Sequence, residues 1–144
     1  MKALSGAVLL LVLCGILYSE QTAALTVNII NIKNMKGDIK ISLFNQSEGF
    51  PTKPDRAYRT MSVEITGKDQ AVVFENLEYG EYAVSVLHDE NKNGKMDFSW
   101  FRMRPAEGTG VSNNAKGKMG PPEYSDAKFR LNTSSEAIKI ALSY

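Results

Sequence analysis

The sequence has a single cysteine and a single histidine in 144 residues. One thiol cannot form a disulfide within the chain, so the fold rests on no disulfide framework. The chain also lacks an excess of either charge. It has 17 Lys and Arg against 16 Asp and Glu, for a formal net charge of +1. A nucleic-acid binder of this size normally carries a clear basic excess, so nucleic acid is not the expected partner. Low net charge combined with 43% hydrophobic residues excludes a disordered chain. Helical periodicity does not persist beyond about two turns in any window, which excludes a helical bundle. Internal repeats, low-complexity tracts and linkers are also missing, and the length is that of one domain.

What is present begins with an address. Lys2 supplies a positive n-region, and Ala7 to Leu17 is an almost uninterrupted apolar h-region. Thr22-Ala23-Ala24 then offers small residues before Leu25. This is the order of a secretory signal peptide over residues 1–24, followed by one domain over 25–144. The apolar stretch is short for a membrane span of about 20 residues. Cys14 is preceded by Leu13 rather than by the small residue that a lipoprotein peptidase requires. The expectation is an exported protein of the periplasm, cell surface or medium, with no transmembrane segment once the signal is removed.

The remainder reads as strands. Ile39, Ile41 and Leu43 alternate with polar residues, as do Tyr82, Val84 and Val86, then Phe129 and Leu131, then Ile138, Ile140 and Leu142. Residues 25–32, 60–66 and 70–76 add three β-rich runs. Polar turns separate them at Met35-Lys36-Gly37-Asp38, Gly67-Lys68-Asp69 and Glu78-Tyr79-Gly80. About seven short strands joined by polar turns predict an all-β antiparallel sandwich. A closed barrel is the second choice. Two segments interrupt the rhythm. Residues 45–59 carry Gly49-Phe50-Pro51 and Pro54 and read as a loop. Residues 89–126 form a long connection of the kind that is functional or self-structured. It contains Gly94, Gly108, Gly110, Gly117 and Gly120, together with Phe98, Trp100 and Phe101. Those aromatics suit a small satellite core under the loop better than an exposed platform for sugar or peptide.

The most specific chemistry follows the strand that ends at His88. Asp89, Asn91, Asn93, Gly94 and Asp97 stand in the spacing D-x-N-x-N-G-x-x-D. Hard cations such as Ca²⁺ take several oxygens from a tightly curled loop. Asp89, Asn91 and Asn93 at alternate positions, the Lys95 carbonyl and Asp97 would supply them. Gly94 would allow the sharp turn. The first nine positions match an EF-hand loop, but Trp100 occupies the twelfth, where the bidentate Glu belongs. The reading is therefore an EF-like Ca²⁺ loop on a β scaffold. Glu107, Glu123 and Asp126 are the nearest spare carboxylates. The competing reading is that Asn-Lys-Asn-Gly is only a favourable turn.

Nucleophilic catalysis has little to stand on. The only cysteine leaves with the signal, and no Ser lies in a recognised elbow. His88 shares a strand face with Val84 and Val86, which suits a hydrogen-bonded strand-end histidine better than a base. The leading expectation is a non-catalytic binding or structural module for a protein, peptide or glycan. The alternative is a hydrolase or small-ligand carrier that uses residues 98–126 as a lid, with His88 facing Glu107 or Glu123 in a cleft.

Several motifs also resemble a known family. Asn76-Leu77-Glu78-Tyr79-Gly80-Glu81-Tyr82-Ala83-Val84 is similar to a hairpin of transthyretin-like and carboxypeptidase-regulatory-like sandwiches. His88-Asp89-Glu90-Asn91-Lys92-Asn93-Gly94, Glu107-Gly108, Ser112-Asn113-Asn114, Gly120-Pro121-Pro122 and Asp126-Ala127-Lys128-Phe129 together resemble the uncharacterised bacterial secreted family DUF2141. Leu43-Phe44 and Glu48-Gly49-Phe50-Pro51 fit the same family. The resemblance implies an immunoglobulin-like or prealbumin-like sandwich that is exported, and it implies no activity.

Overall fold

The computed structural model describes residues 19–99 and 103–144. Ten strands run in chain order: β1 Thr22–Ile30, β2 Asp38–Phe44, β3 Arg59–Glu64, β4 Gln70–Glu78, β5 Gly80–Asp89, β6 Phe98–Ser99, β7 Arg104–Pro105, β8 Gly108–Val111, β9 Phe129–Leu131 and β10 Ser135–Ala141. One short helix, α1, spans Tyr124–Ala127. The chain is an all-β sandwich. One sheet has the order β10-β1-β4. The other has the order β3-β2-β5-β8, and β9 also pairs with β5.

The alternation in the sequence sets which side chains face inward. Leu25, Val27 and Ile29 of β1 are fully buried, as are Ile39, Ile41 and Leu43 of β2. Val84 and Val86 of β5 join them, with Val72, Phe74 and Leu77 of β4 and Ile140 of β10. A period of two places every second residue on the inner face, so the two sheets share one core. Among the described residues all strand pairings but one are antiparallel. The exception is β1 with β10, whose parallel register runs from Ala24 opposite Ser135 to Ile30 opposite Ala141.

The sandwich is joined on one side and open on the other. On the joined side Thr109 of β8 and Ser143 exchange both backbone hydrogen bonds, at 3.0 and 2.9 Å. Gly108 and Gly110 make this approach possible. A Cβ on Gly110 would lie 2.7 Å from Ile140 Cγ2, and one on Gly108 would enter the Tyr144 ring. On the open side the edges β3 and β4 face each other, and the Arg59 guanidinium spans them. It donates to the Glu75 carbonyl at 2.6 Å and the Asn76 carbonyl at 3.0 Å.

The long 89–126 connection is largely structured. It supplies the β6–β7 hairpin, β8 and α1. Its anchor is Ser112-Asn113-Asn114, three polar side chains that bind three different parts of the fold. Ser112 Oγ accepts the Val84 N–H at 2.9 Å and donates to the Ala127 carbonyl at 2.6 Å. Val84 lies in the gap between the part of β5 that pairs with β9 and the part that pairs with β8. Ser112 thus fills a break in the ladder. Asn113 donates to the Asp126 and Lys128 carbonyls. Asn114 Oδ1 accepts the Ala141 N–H at 2.9 Å, so its side chain stands in for a strand at the β10 edge. Both Asn residues hold a positive φ, 59° and 46°, which Asn tolerates better than most side chains.

A satellite core does lie beneath this segment, and among the described residues others than Phe98 build it. Ala83, Val111 and Ala127 are buried there, with Phe50, Ala115 and Tyr124 packed against them. Phe50 meets Phe44 and Tyr124 edge-on, at centroid distances of 5.3 and 5.8 Å. Phe98 is 41% exposed. Trp100 and Phe101 lie outside the described residues.

Candidate functional site

Strand β5 delivers His88 and Asp89 to one end of the sandwich, and both are fully buried. The backbone then leaves the sheet and curls through residues 89–97. Gly94 takes φ +73°, the left-handed turn that its position in the motif predicts, and Lys92 also has a positive φ of 56°. The loop is closed by its own polar groups. Asp89 Oδ1 accepts the Asn93 N–H at 3.2 Å and Oδ2 accepts the Gly94 N–H at 2.8 Å. Asn91 Oδ1 accepts the Asn93 N–H, and Asn93 Oδ1 accepts the Lys95 N–H.

The motif spacing predicts that Asp89, Asn91, Asn93 and Asp97 all aim oxygens at one centre. They are brought together, but not all in that sense. The Asn91 amide donates to Asp97 Oδ2 at 2.7 Å, and the Asn93 amide donates to both Asp97 oxygens at 3.1 and 3.0 Å. Amide hydrogens therefore meet both Asp97 oxygens. A cation would need amide oxygens in their place. Among the described residues no three His, Cys, Asp or Glu side chains gather as a metal-holding group. The loop's carboxylates alone are too few, and any cation would depend on amide and carbonyl oxygens.

Of the three spare carboxylates, only Glu107 reaches this end. It is 4% exposed, and its two oxygens accept the Glu90 N–H at 3.0 Å and the Asp97 N–H at 3.3 Å. One side chain from the connection before β8 thus clamps the two ends of the loop. Burial raises its carboxyl above the ordinary carboxylate range. The charges of Asp97 and Asp89 push the same way, and the two N–H bonds oppose them. Glu123 and Asp126 lie instead at α1, beside Ala83 and the start of β5. Ala83 stands six residues before Asp89 on β5, about 20 Å along the strand. They cannot complete the loop.

Other neighbours were less visible in the sequence. Gly37 takes φ +73° and packs against the Asp89 backbone so closely that a Cβ would collide with the Asp89 carbonyl. Lys92 Nζ lies 3.3 Å from Asp38 Oδ1 and ties the loop to the first residue of β2.

His88 is held on both nitrogens. Nε2 faces the Lys36 carbonyl at 2.7 Å, and a carbonyl only accepts, so Nε2 carries a hydrogen. Nδ1 lies 2.7 Å from the Tyr144 hydroxyl, which itself accepts the Lys33 N–H at 2.9 Å. The Tyr144 ring stands edge-on to the imidazole, with centroids 5.9 Å apart. This is the hydrogen-bonded strand-end histidine that the alternation predicted. The pairing with Glu107 or Glu123 that a hydrolase reading needs is not formed, since Glu107 binds backbone and Glu123 is distant. Residues 108–111 belong to the sheet and do not lie as a lid over a cleft. Two shallow hollows occur elsewhere, one between the β3 and β4 edges and one on the outer face of β1 and β4. Neither is lined by His88, Glu107 or the 89–97 loop.

Comparison with curated proteins and with solved structures gives no match. A family model described as an uncharacterized protein conserved in bacteria matches residues 27–139, from β1 to β10 and across the whole 89–97 loop, and the chain belongs to that family, DUF2141.

Proposed function

We propose that this chain is an exported, non-catalytic β-sandwich, a binding or structural module for a protein, peptide or glycan, whose 89–97 loop takes a weakly held Ca²⁺. The export reading rests on the charged, apolar and small-residue order of residues 1–24. The non-catalytic reading is supported by His88 and Glu107, whose polar atoms serve backbone and Tyr144.

One observation carries the metal reading. Asp89 is anchored at the end of β5 with Oδ2 on the Gly94 N–H, and Asp97 returns across the same turn beside Asn91 and Asn93. Ca²⁺ would take oxygens from Asp89, Asn91, Asn93, Asp97 and the Lys95 carbonyl. To do so it must displace the amide hydrogens now on Asp97. Bonds to a charged group contribute about 1.5–3 kcal/mol each, so the competition holds affinity low. The appropriate range is that of extracellular modules, Kd ~10⁻⁴–10⁻³ M. At about 1 mM Ca²⁺ this adds ~0.4–1.4 kcal/mol, or about 2–8 °C in Tm. Mg²⁺ adds less, because it demands a tighter octahedral cage.

The test is a melting curve of the exported protein in chelator, then across a Ca²⁺ titration. Asp89→Ala should melt lower in chelator, having lost two N–H acceptors, and should show no Ca²⁺ increment. Curves that superimpose up to ~10 mM Ca²⁺, well above the range just given, mean that the loop is only a turn.

A further inference from the structure

The sequence marks the Ala24–Leu25 bond for leader removal, yet that bond lies inside β1. The strand's alternation runs without a break from Thr22: exposed Thr22, buried Ala23, half-buried Ala24, buried Leu25. Ala23 is 3% exposed and belongs to the main core with Leu77, its partner on β4.

Both neighbouring strands extend past Leu25 to meet these residues. On one side the Ala24 N–H donates to the Ser134 carbonyl at 3.0 Å, and Ala24 pairs with Ser135, the first residue of β10. On the other side Leu25 pairs with Phe74, whereas Ala23 pairs with Leu77. Two β4 residues, Glu75 and Asn76, therefore stand opposite Ala24 alone, which makes a bulge. Asn76 adopts φ 55° to form it. The bulge carbonyls are the two that Arg59 of the opposite sheet takes with its guanidinium. β1 is the strand that pairs with β4. A chain beginning at Leu25 would leave the bulge, Leu77 and Glu78 without their strand partners, and the Arg59 fork would brace a strand end paired with nothing. By contrast, Ser19, Glu20, Gln21 and Thr22 are all exposed.

From this we propose that the leader is cut upstream of β1, so that the exported chain keeps Thr22, Ala23 and Ala24 as strand residues. The proposal rests on the export reading above and fixes where the domain begins. Ser19, exposed and just outside the sheet, is a small residue that can take the minus-one position of such a cut, with Leu17 at minus three.

The experiment expresses the full-length chain in a bacterial host and determines the N-terminus of the exported protein by intact mass and N-terminal sequencing. The expected first residue lies after Met1 and no later than Thr22, and an acylated Cys14 at the N-terminus also meets this expectation. Ala23, Ala24 or Leu25 as the first residue overturns the proposal and leaves export intact. A chain that retains Met1 overturns the export reading and the cut together. Ala24→Tyr in the same full-length chain gives a second reading. It removes the small residue before Leu25 while keeping a strand-forming side chain on the outer face. Unchanged processing supports the upstream cut, and accumulation of uncleaved precursor overturns it.

Discussion

Ser112→Ala is expected to be among the most damaging single-atom changes available in this domain. Ser112 is fully exposed to no solvent, at 0%, and so are its two partners, Val84 and Ala127. Its hydroxyl accepts the Val84 N–H at 2.9 Å and donates to the Ala127 carbonyl at 2.6 Å. Alanine removes one oxygen and leaves both backbone groups buried without those bonds. Each orphaned buried group costs about 1–3 kcal/mol, so the pair costs about 2–6 kcal/mol. Total stability of a domain this size is on the order of 5–15 kcal/mol. The loss is therefore a large fraction, and Tm should fall by about 10 °C or more. Urea unfolding should show a lower midpoint with an unchanged slope, since the surface exposed on unfolding stays the same. Amide exchange at Val84 should accelerate more than at other β5 residues. Ser125→Ala on the exposed side of α1 is the control, and it should stay within about 0.5 kcal/mol of the parent. A Ser112→Ala protein equally close to the parent would refute the role of Ser112 as the bond that fills the β5 ladder gap.

Four further outcomes follow from other parts of the fold. Gly110→Ala places a methyl 2.7 Å from Ile140 Cγ2 and 2.9 Å from the Ala141 carbonyl, so calorimetry should report a loss of about 1–3 kcal/mol from overpacking. Glu107 titrates above its ordinary value of 4.5 in the folded state, so its contribution is fullest below that value and is lost as pH rises through the raised one. Urea midpoints compared across about pH 4 to 7 should show that Glu107→Gln removes this component; identical pH profiles for the two proteins would refute it. Burial raises the Tyr82, Tyr124 and Tyr144 phenols above 10, so stability should decline as pH rises beyond 10 through their folded values. Tyr144→Phe should lower stability by about 1–2 kcal/mol at neutral pH by uncoupling His88 Nδ1 and the Lys33 N–H, read as a shift in urea midpoint.

Most of the sandwich was legible because its core strands obey a period of two. The runs around Ile39–Leu43, Tyr82–Val86, Phe129–Leu131 and Ile138–Leu142 all became strands, as did the three β-rich runs. Strand β8 was not legible. Gly108 and Gly110 are poor strand formers in isolation, and only the arrival of Tyr144 and Ile140 from the far end of the chain explains why glycine is needed there. Ser112-Asn113-Asn114 carried no local signal either, since its partners lie on β5, around α1 and on β10. The parallel β1–β10 pair is likewise a contact between the two ends of the domain.

The same division between local and distant information applies to the loop. The turn at Gly94 and the capping by Asp89 are properties of nine consecutive residues, and the sequence spacing predicted them. Whether the amides of Asn91 and Asn93 face Asp97 with nitrogen or with oxygen is decided by a balance of charges, which spacing does not encode. Glu107 enters that balance from outside the motif. It holds the Glu90 and Asp97 backbones at a fixed separation while adding a buried negative charge near Asp89 and Asp97. A loop clamped in this way keeps its curvature without a cation. A bound cation would therefore tune this end of the sandwich, and the strand pairings and the Ser112 anchor would remain what determines the fold.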